Sequence, residues 1–168
     1  MRRFTSAGRR ALEQHNWYAA LSLALIIPDI CGSLEDPGPR KSKKRYLKWC
    51  REWFRHTIKV GNAEEIILSE NDCFQLRNSL VHSGSDIIDP DFKDTVDRVK
   101  FFDPTNDSHA FKHDDVLYLR ADKFSEAMYA AAERWDDAQR SNAMVQAEKE
   151  RLLTIHSGPF ANEKIRLS

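Results

Sequence analysis

The chain has 168 residues, 41% of them hydrophobic and 31% charged. That composition excludes disordered and fibrous classes and leaves room for one folded domain with a hydrophobic core. Basic and acidic residues number 26 each, for a formal net charge of +0, so nucleic acid cannot be drawn in by a whole-molecule field and any such binding needs a local patch. Cys31, Cys50 and Cys73 are scattered and no C-x-x-C occurs. This argues against a disulfide scaffold or zinc knuckle and fits a reducing cytoplasm.

Residues 4–27 read as the first helix, with Thr5 or Ser6 as its cap. Arg2, Arg3, Arg9 and Arg10 precede the apolar run 19–27, but Glu13, Gln14, His15 and Asn16 intervene. No small-x-small cleavage site follows Pro28-Asp29, and the run is too short to span a bilayer. It is expected to be a core helix, kinked at Pro28 and continuing to Ser33 or Leu34, with no membrane role. Asp29 has two readings. It caps the next turn, or it faces a later helix and holds Arg77 by a bidentate pair.

Residues 35–42 form a loop, because Asp36-Pro37-Gly38-Pro39 cannot be helical. The densest basic run follows: Arg40, Lys41, Lys43, Lys44 and Arg45. It leads into an expected helix over 42–60 carrying Tyr46, Leu47, Trp49, Cys50, Trp53, Phe54 and Ile58. Positive charge is unfavourable at a helix N-terminus. The run is either a solvated helix start or an RNA-binding segment whose lysines and arginines meet phosphates while nearby aromatics stack on bases. Gly61-Asn62 breaks the chain, and 63–83 reads as one long helix or as a short helix before a second one.

The organising stretch is 69–84, SENDCFQLRNSLVHSG. Ser69 starts a helix and Ser83-Gly84 stops it. Cys73, Leu76, Leu80 and Phe74 mark an apolar stripe. Arg77, Asn78 and His82 are polar exceptions near its end. Asn78 and His82 share a face, whereas Arg77 lies about 140° around the helix from His82.

The order Arg77-Asn78-x3-His82 resembles the motif of the HEPN superfamily, all-α domains of which many are metal-independent RNA endonucleases. The motif covers about six residues, and the architectural likeness roughly residues 5–140. The resemblance implies a four- to five-helix bundle, a homodimer with a composite site at the interface, and no cofactor or metal. It implies His82 as general acid/base, Arg77 as stabiliser of the phosphoryl anion, Asn78 as orienting group and Asp29 as support. The 2′-hydroxyl of RNA would be the nucleophile, with a 2′,3′-cyclic phosphate and a 5′-hydroxyl as products. It also implies a toxin or defence role held in check by a separate antitoxin or inhibitor. The alternative is a non-catalytic HEPN-like module that dimerises or binds RNA, a nucleotide or a protein partner. A DNA-binding regulator is a weaker third reading, since no helix-turn-helix stands out.

Beyond Gly84, 85–90 is a loop with an extended piece at Ile87-Ile88, and 91–97 reads as a short helix. The β-like runs 99–102 and 116–119 are expected to pair as a hairpin, an insertion spanning about 97–120. Its loop holds His109, His113, Asp114 and Asp115, whose spacing matches no closed metal site. Residues 121–153 read as one helix capped by Asp122, with Phe124, Met128, Ala131, Ala132, Trp135 and Ala138 on its apolar stripe. Its polar end past Asn142 projects or lies along a partner. Residues 157–168 are a C-terminal tail, and 1–156 a single all-α domain with a small β-hairpin insertion.

Overall fold

The first helical stretch divides in two. In the computed structural model, which describes residues 1–60, 63–88, 91 and 96–156, α1 spans Arg2–Glu13 and α2 spans Trp17–Glu35. His15 takes a left-handed φ of 55°, and the Asn16 side chain accepts the Ala19 N–H at 3.2 Å. An asparagine cap placed there starts a new helix, so the expected single helix 4–27 is corrected. Thr5 and Ser6 are not caps, because α1 begins at Arg2. The buried Thr5 hydroxyl instead bonds Glu133 Oε1 at 2.9 Å.

Helix α2 runs through Pro28 and occupies the centre of the fold, touching every other helix. It is longer than the apolar run 19–27, and by length and composition alone it meets the test for a membrane span, a test that a buried core helix also passes. Ala20, Ala24, Leu25, Ile27 and Cys31 on it are fully buried. Burying a side chain of leucine size stabilises by about 1.5–3 kcal/mol, so this strip dominates the core.

Close packing brings α1 to α5 (Ala121–Ala138). Tyr129 of α5 is buried and donates its hydroxyl to Ala20 O at 2.6 Å. Gly8 lies against that ring, and a Cβ there would overlap it. Gly8→Ala is therefore expected to cost about 1–3 kcal/mol through overpacking, read as a lower urea midpoint. An unchanged midpoint would mean that α1 does not approach the ring.

Helix α3 covers Ser42–Trp53, shorter than the expected 42–60. The chain turns into β1 (His56–Val60), antiparallel to β2 (Ala63–Leu68), with Thr57 opposite Ile66. The β-branched residues Thr57, Ile58, Val60, Ile66 and Ile67 favour strands, and they override the helical reading of 54–68. Helix α4 then spans Glu70–Ser83.

A second sheet has the order β3-β5-β4, from Arg98–Phe102, Val116–Arg120 and Phe111–His113. The expected hairpin between 99–102 and 116–119 is corrected, because β3 and β5 run parallel, with Val99 opposite Leu117. The antiparallel partner of β5 is β4, reached by a tight turn in which Asp114 has φ 52°. Ile87 bridges Arg98 beyond β3. The expected short helix 91–97 falls largely on residues 92–95, outside the described residues.

Helix α5 stops at Ala138 and α6 (Ala143–Glu150) follows, so the single helix 121–153 is also corrected. The Asn142 side chain accepts the Val145 N–H at 3.3 Å and starts α6. This short helix folds back, burying Val145 and bringing Lys149 Nζ to 2.6 Å from Asp136. Asp122 is not a cap; it pairs with Arg120 at 2.7 Å, and Arg120 holds the cap position. The tail 157–168 lies outside the described residues. The result is a mostly helical protein, with six helices and two small sheets among the described residues, rather than a purely helical bundle.

Candidate functional site

Helix α4 owes its position to both ends. Ser69 Oγ accepts the Asp72 N–H at 3.0 Å, while the Asp72 carboxylate answers the Ser69 backbone, a reciprocal capping box. Asp72 sits at the third helical position, the place where a carboxylate closes that box. Gly84 closes the other end with a left-handed φ of 60°, a conformation that glycine adopts without strain. The Ser79 hydroxyl donates to Ile87 O at 2.7 Å and fixes the exit. Cys73, Phe74 and Leu76 are buried, as the apolar stripe requires.

Arg77 points across to α2. Its Nη2 is 2.7 Å from Asp29 Oδ2, and its Nη1 donates to Asn78 Oδ1 at 2.9 Å. The Asp29 contact is a one-point ion pair, not the expected bidentate fork. Neither Arg77 Nε nor Asp29 Oδ2, both buried, has an aligned hydrogen bond. Asp29 Oδ1 accepts the hydroxyl of Ser42, the first residue of α3, at 2.8 Å. A polar chain Ser42–Asp29–Arg77–Asn78 therefore ties α3, α2 and α4 together. Both charged side chains are about four-fifths buried, at 21% and 19% exposure, so their attraction is weakly screened.

His82 lies one turn beyond Asn78, exposed, with no hydrogen bond or ion pair among the described residues. No hydrogen bond joins it to Arg77, whose partners are Asp29 and Asn78. Val81 falls between them on the helix surface and is 50% exposed. One copy of the chain thus places Arg77 and Asn78 together and leaves His82 apart.

The basic run divides by role. Lys41 pairs with Asp36 at 2.8 Å, and Arg45 Nη1 donates to the carbonyls of Asp36 and Gly38. Lys41 first, with Arg45 and Lys44 adding, holds the Asp36 carboxyl below its ordinary range. These two side chains fasten the 36–39 turn. Arg40 and Lys44 are exposed, and Lys43 Nζ is 5.8 Å from the Phe74 ring centre, one turn before Asn78. The start of α3 therefore borders the face of α4 that carries the motif.

The loop histidines lie elsewhere. His109 Nδ1 accepts the Arg120 N–H at 3.0 Å, and His113 is 3.1 Å from Asp114. Among the described residues no group of three or more potential metal ligands comes together. All three cysteines are buried free thiols. A cavity of about 330 Å³ opens on the other side of α4, walled by Trp17, Leu21, Leu76, Leu80 and Phe101, and it excludes Arg77, Asn78 and His82.

Sequence reasoning missed Ser42 and Val81. Ser42 had no local signal, because its partner is thirteen residues earlier in the chain. Val81 had one: an apolar residue off the stripe, beside the motif histidine. Comparison with protein-family models, curated proteins and solved structures finds no match to this chain.

Proposed function

We propose that the chain is a metal-independent endoribonuclease of HEPN type, acting as a homodimer in the cytoplasm. The observation that carries the reading is the Ser42–Asp29–Arg77–Asn78 chain on the helix face that ends in the exposed His82. Clamping by Asp29 presets the guanidinium, and preset donors stabilise developing charge without reorganising. An imidazole titrates near neutrality and can take or give a proton. In the reaction, the 2′-oxygen forms a bond to phosphorus and the bond to the 5′-oxygen breaks. The base accepts the 2′-hydroxyl proton, the leaving oxygen gains one, and Arg77 offsets charge on the phosphoryl oxygens.

Arg77 and His82 of one copy diverge around the helix, so the working pair draws on a second copy. Exposed Val81 supplies an apolar contact for that two-fold packing. Arg40, Lys43 and Lys44 would hold the RNA backbone beside α4. The toxin or defence role, and with it a separate antitoxin or inhibitor, rests on the motif resemblance alone. A second reading, a non-catalytic helical module, is favoured by one observation: Arg77 is mostly buried and already engaged by two side chains.

The test is cleavage of RNA by the purified protein in excess EDTA, with product ends identified. Expected are 2′,3′-cyclic phosphate and 5′-hydroxyl ends, lost in His82→Ala. Absence of cleavage, cleavage abolished by EDTA, or full activity in His82→Ala each overturns the reading.

A further inference from the structure

The sheet β3-β5-β4 has two faces of opposite chemistry. Val99, Leu117 and Leu119 point inward and are fully buried. Alternation sends the intervening side chains outward. On β3 these are Arg98, Lys100 and Phe102. On β5 they are Val116, Tyr118 and Arg120, and on β4 Phe111 and His113. The register confirms a shared face, since Tyr118 lies opposite both Lys100 and Phe111. None of these outward residues is acidic.

The aromatics are ordered into a column. Phe111 and Tyr118 stack with centroids 4.7 Å apart and planes within 3°, and Phe102 and Tyr118 are 5.8 Å apart at 11°. Lys100 Nζ is 5.7 Å from the Tyr118 ring centre. Carboxylates already meet Arg98 (Asp86, 3.6 Å), Arg120 (Asp122 in the first turn of α5, 2.7 Å) and His113 (Asp114, 3.1 Å). Lys100 is exposed and has no such partner among the described residues. Phe111 ends the column on the edge strand, 40% exposed.

We infer that this outer sheet face binds single-stranded RNA, with unpaired bases extending the stack from Phe111 and phosphates meeting Lys100. Splayed bases stack on aromatic side chains of exposed sheets, and interleaved cations follow the backbone. The pattern of basic and aromatic outward positions complements a strand that is anionic outside and flat inside. Lys100, beside the stacked rings and without a carboxylate partner among the described residues, is the cation this face offers to a phosphate. The choice of RNA rests on the ribonuclease reading; the basic and aromatic pattern does not.

The experiment is fluorescence anisotropy of a labelled mixed-sequence RNA of about twelve nucleotides. The parent protein is His82→Ala, so that binding is read without cleavage. Phe111→Ala and Lys100→Ala are expected to weaken binding about fivefold or more each, and Tyr118→Phe to retain it. Affinity should also fall steeply with salt. Circular dichroism checks that each variant is folded. Affinities within about twofold of the parent for both Phe111→Ala and Lys100→Ala overturn the inference, as does no RNA binding by the parent. No cleavage by the wild-type protein, with binding weakened in Phe111→Ala and Lys100→Ala, refutes only the nuclease; wild-type cleavage with binding unchanged in both variants refutes only this surface.

Discussion

Arg77→Ala is expected to lower RNA cleavage by a factor of about a hundred or more, the usual result of removing a preset donor to a transition-state anion. The same change is expected to cost about 1–3 kcal/mol of stability, because it leaves Asp29 largely buried without its cation. The two effects separate in other variants. Arg77→Lys keeps a charge near Asp29 but loses the planar fork, so stability should largely return while activity stays low. Asp29→Asn removes the charge and keeps the shape. It should loosen the guanidinium and reduce turnover less than Arg77→Ala does. A double-mutant cycle between Asp29 and Arg77, read by urea unfolding, should give a coupling of about 1 kcal/mol or more. If Arg77→Ala is destabilised yet cleaves normally per folded molecule, the arginine is a staple between helices. Its assignment as stabiliser of the phosphoryl anion then falls.

That cycle also bears on why the site was partly legible in the sequence. Ser69, the apolar stripe and Gly84 define α4 almost to the residue, because caps and periodicity are local signals. Asp29 could be suspected only as a carboxylate ending an apolar segment, and the residues alone favoured a surface cap, with only the motif resemblance raising the Arg77 pairing. Its contacts come from α3 and α4, and tertiary partners leave no periodic trace. The strands at 56–68 were hidden for a related reason. Tyr46, Trp49, Cys50 and Trp53 recur at helical spacing, the β-branched residues after Phe54 favour strand, and no turn signal separates them before Gly61. Likewise, 99–102 and 116–119 were recognisable as strands, but their parallel pairing was not. Strand direction depends on β4 taking the hairpin position beside β5.

Acid should destabilise this protein through His56 well before carboxylates are neutralised. The ring is only 9% exposed and lies between Phe54 and Phe124, with centroids 5.8 and 6.0 Å away. His109 meets it edge-on at 5.8 Å, and His56 Nε2 is buried without a hydrogen-bond partner. Burial first, and the neighbouring His109 second, push the His56 pKa down to about 4. His109 is also lowered, by burial and then by Arg120, with Asp122 opposing and Lys123 assisting. An unfolded histidine titrates near 6.5. Between that value and about 4 the unfolded chain therefore binds the proton and the folded chain does not. The contribution is complete above about pH 6.5 and is lost as pH falls, reaching about 3 kcal/mol near pH 4. His56→Phe keeps an aromatic of similar size and removes the proton site. Urea midpoints measured at about pH 7 and about pH 4.5 should fall markedly in wild type and clearly less in His56→Phe. Parallel losses in the two proteins would mean that the imidazole is solvated, and that β1 does not seat it against α5 as the ring contacts indicate.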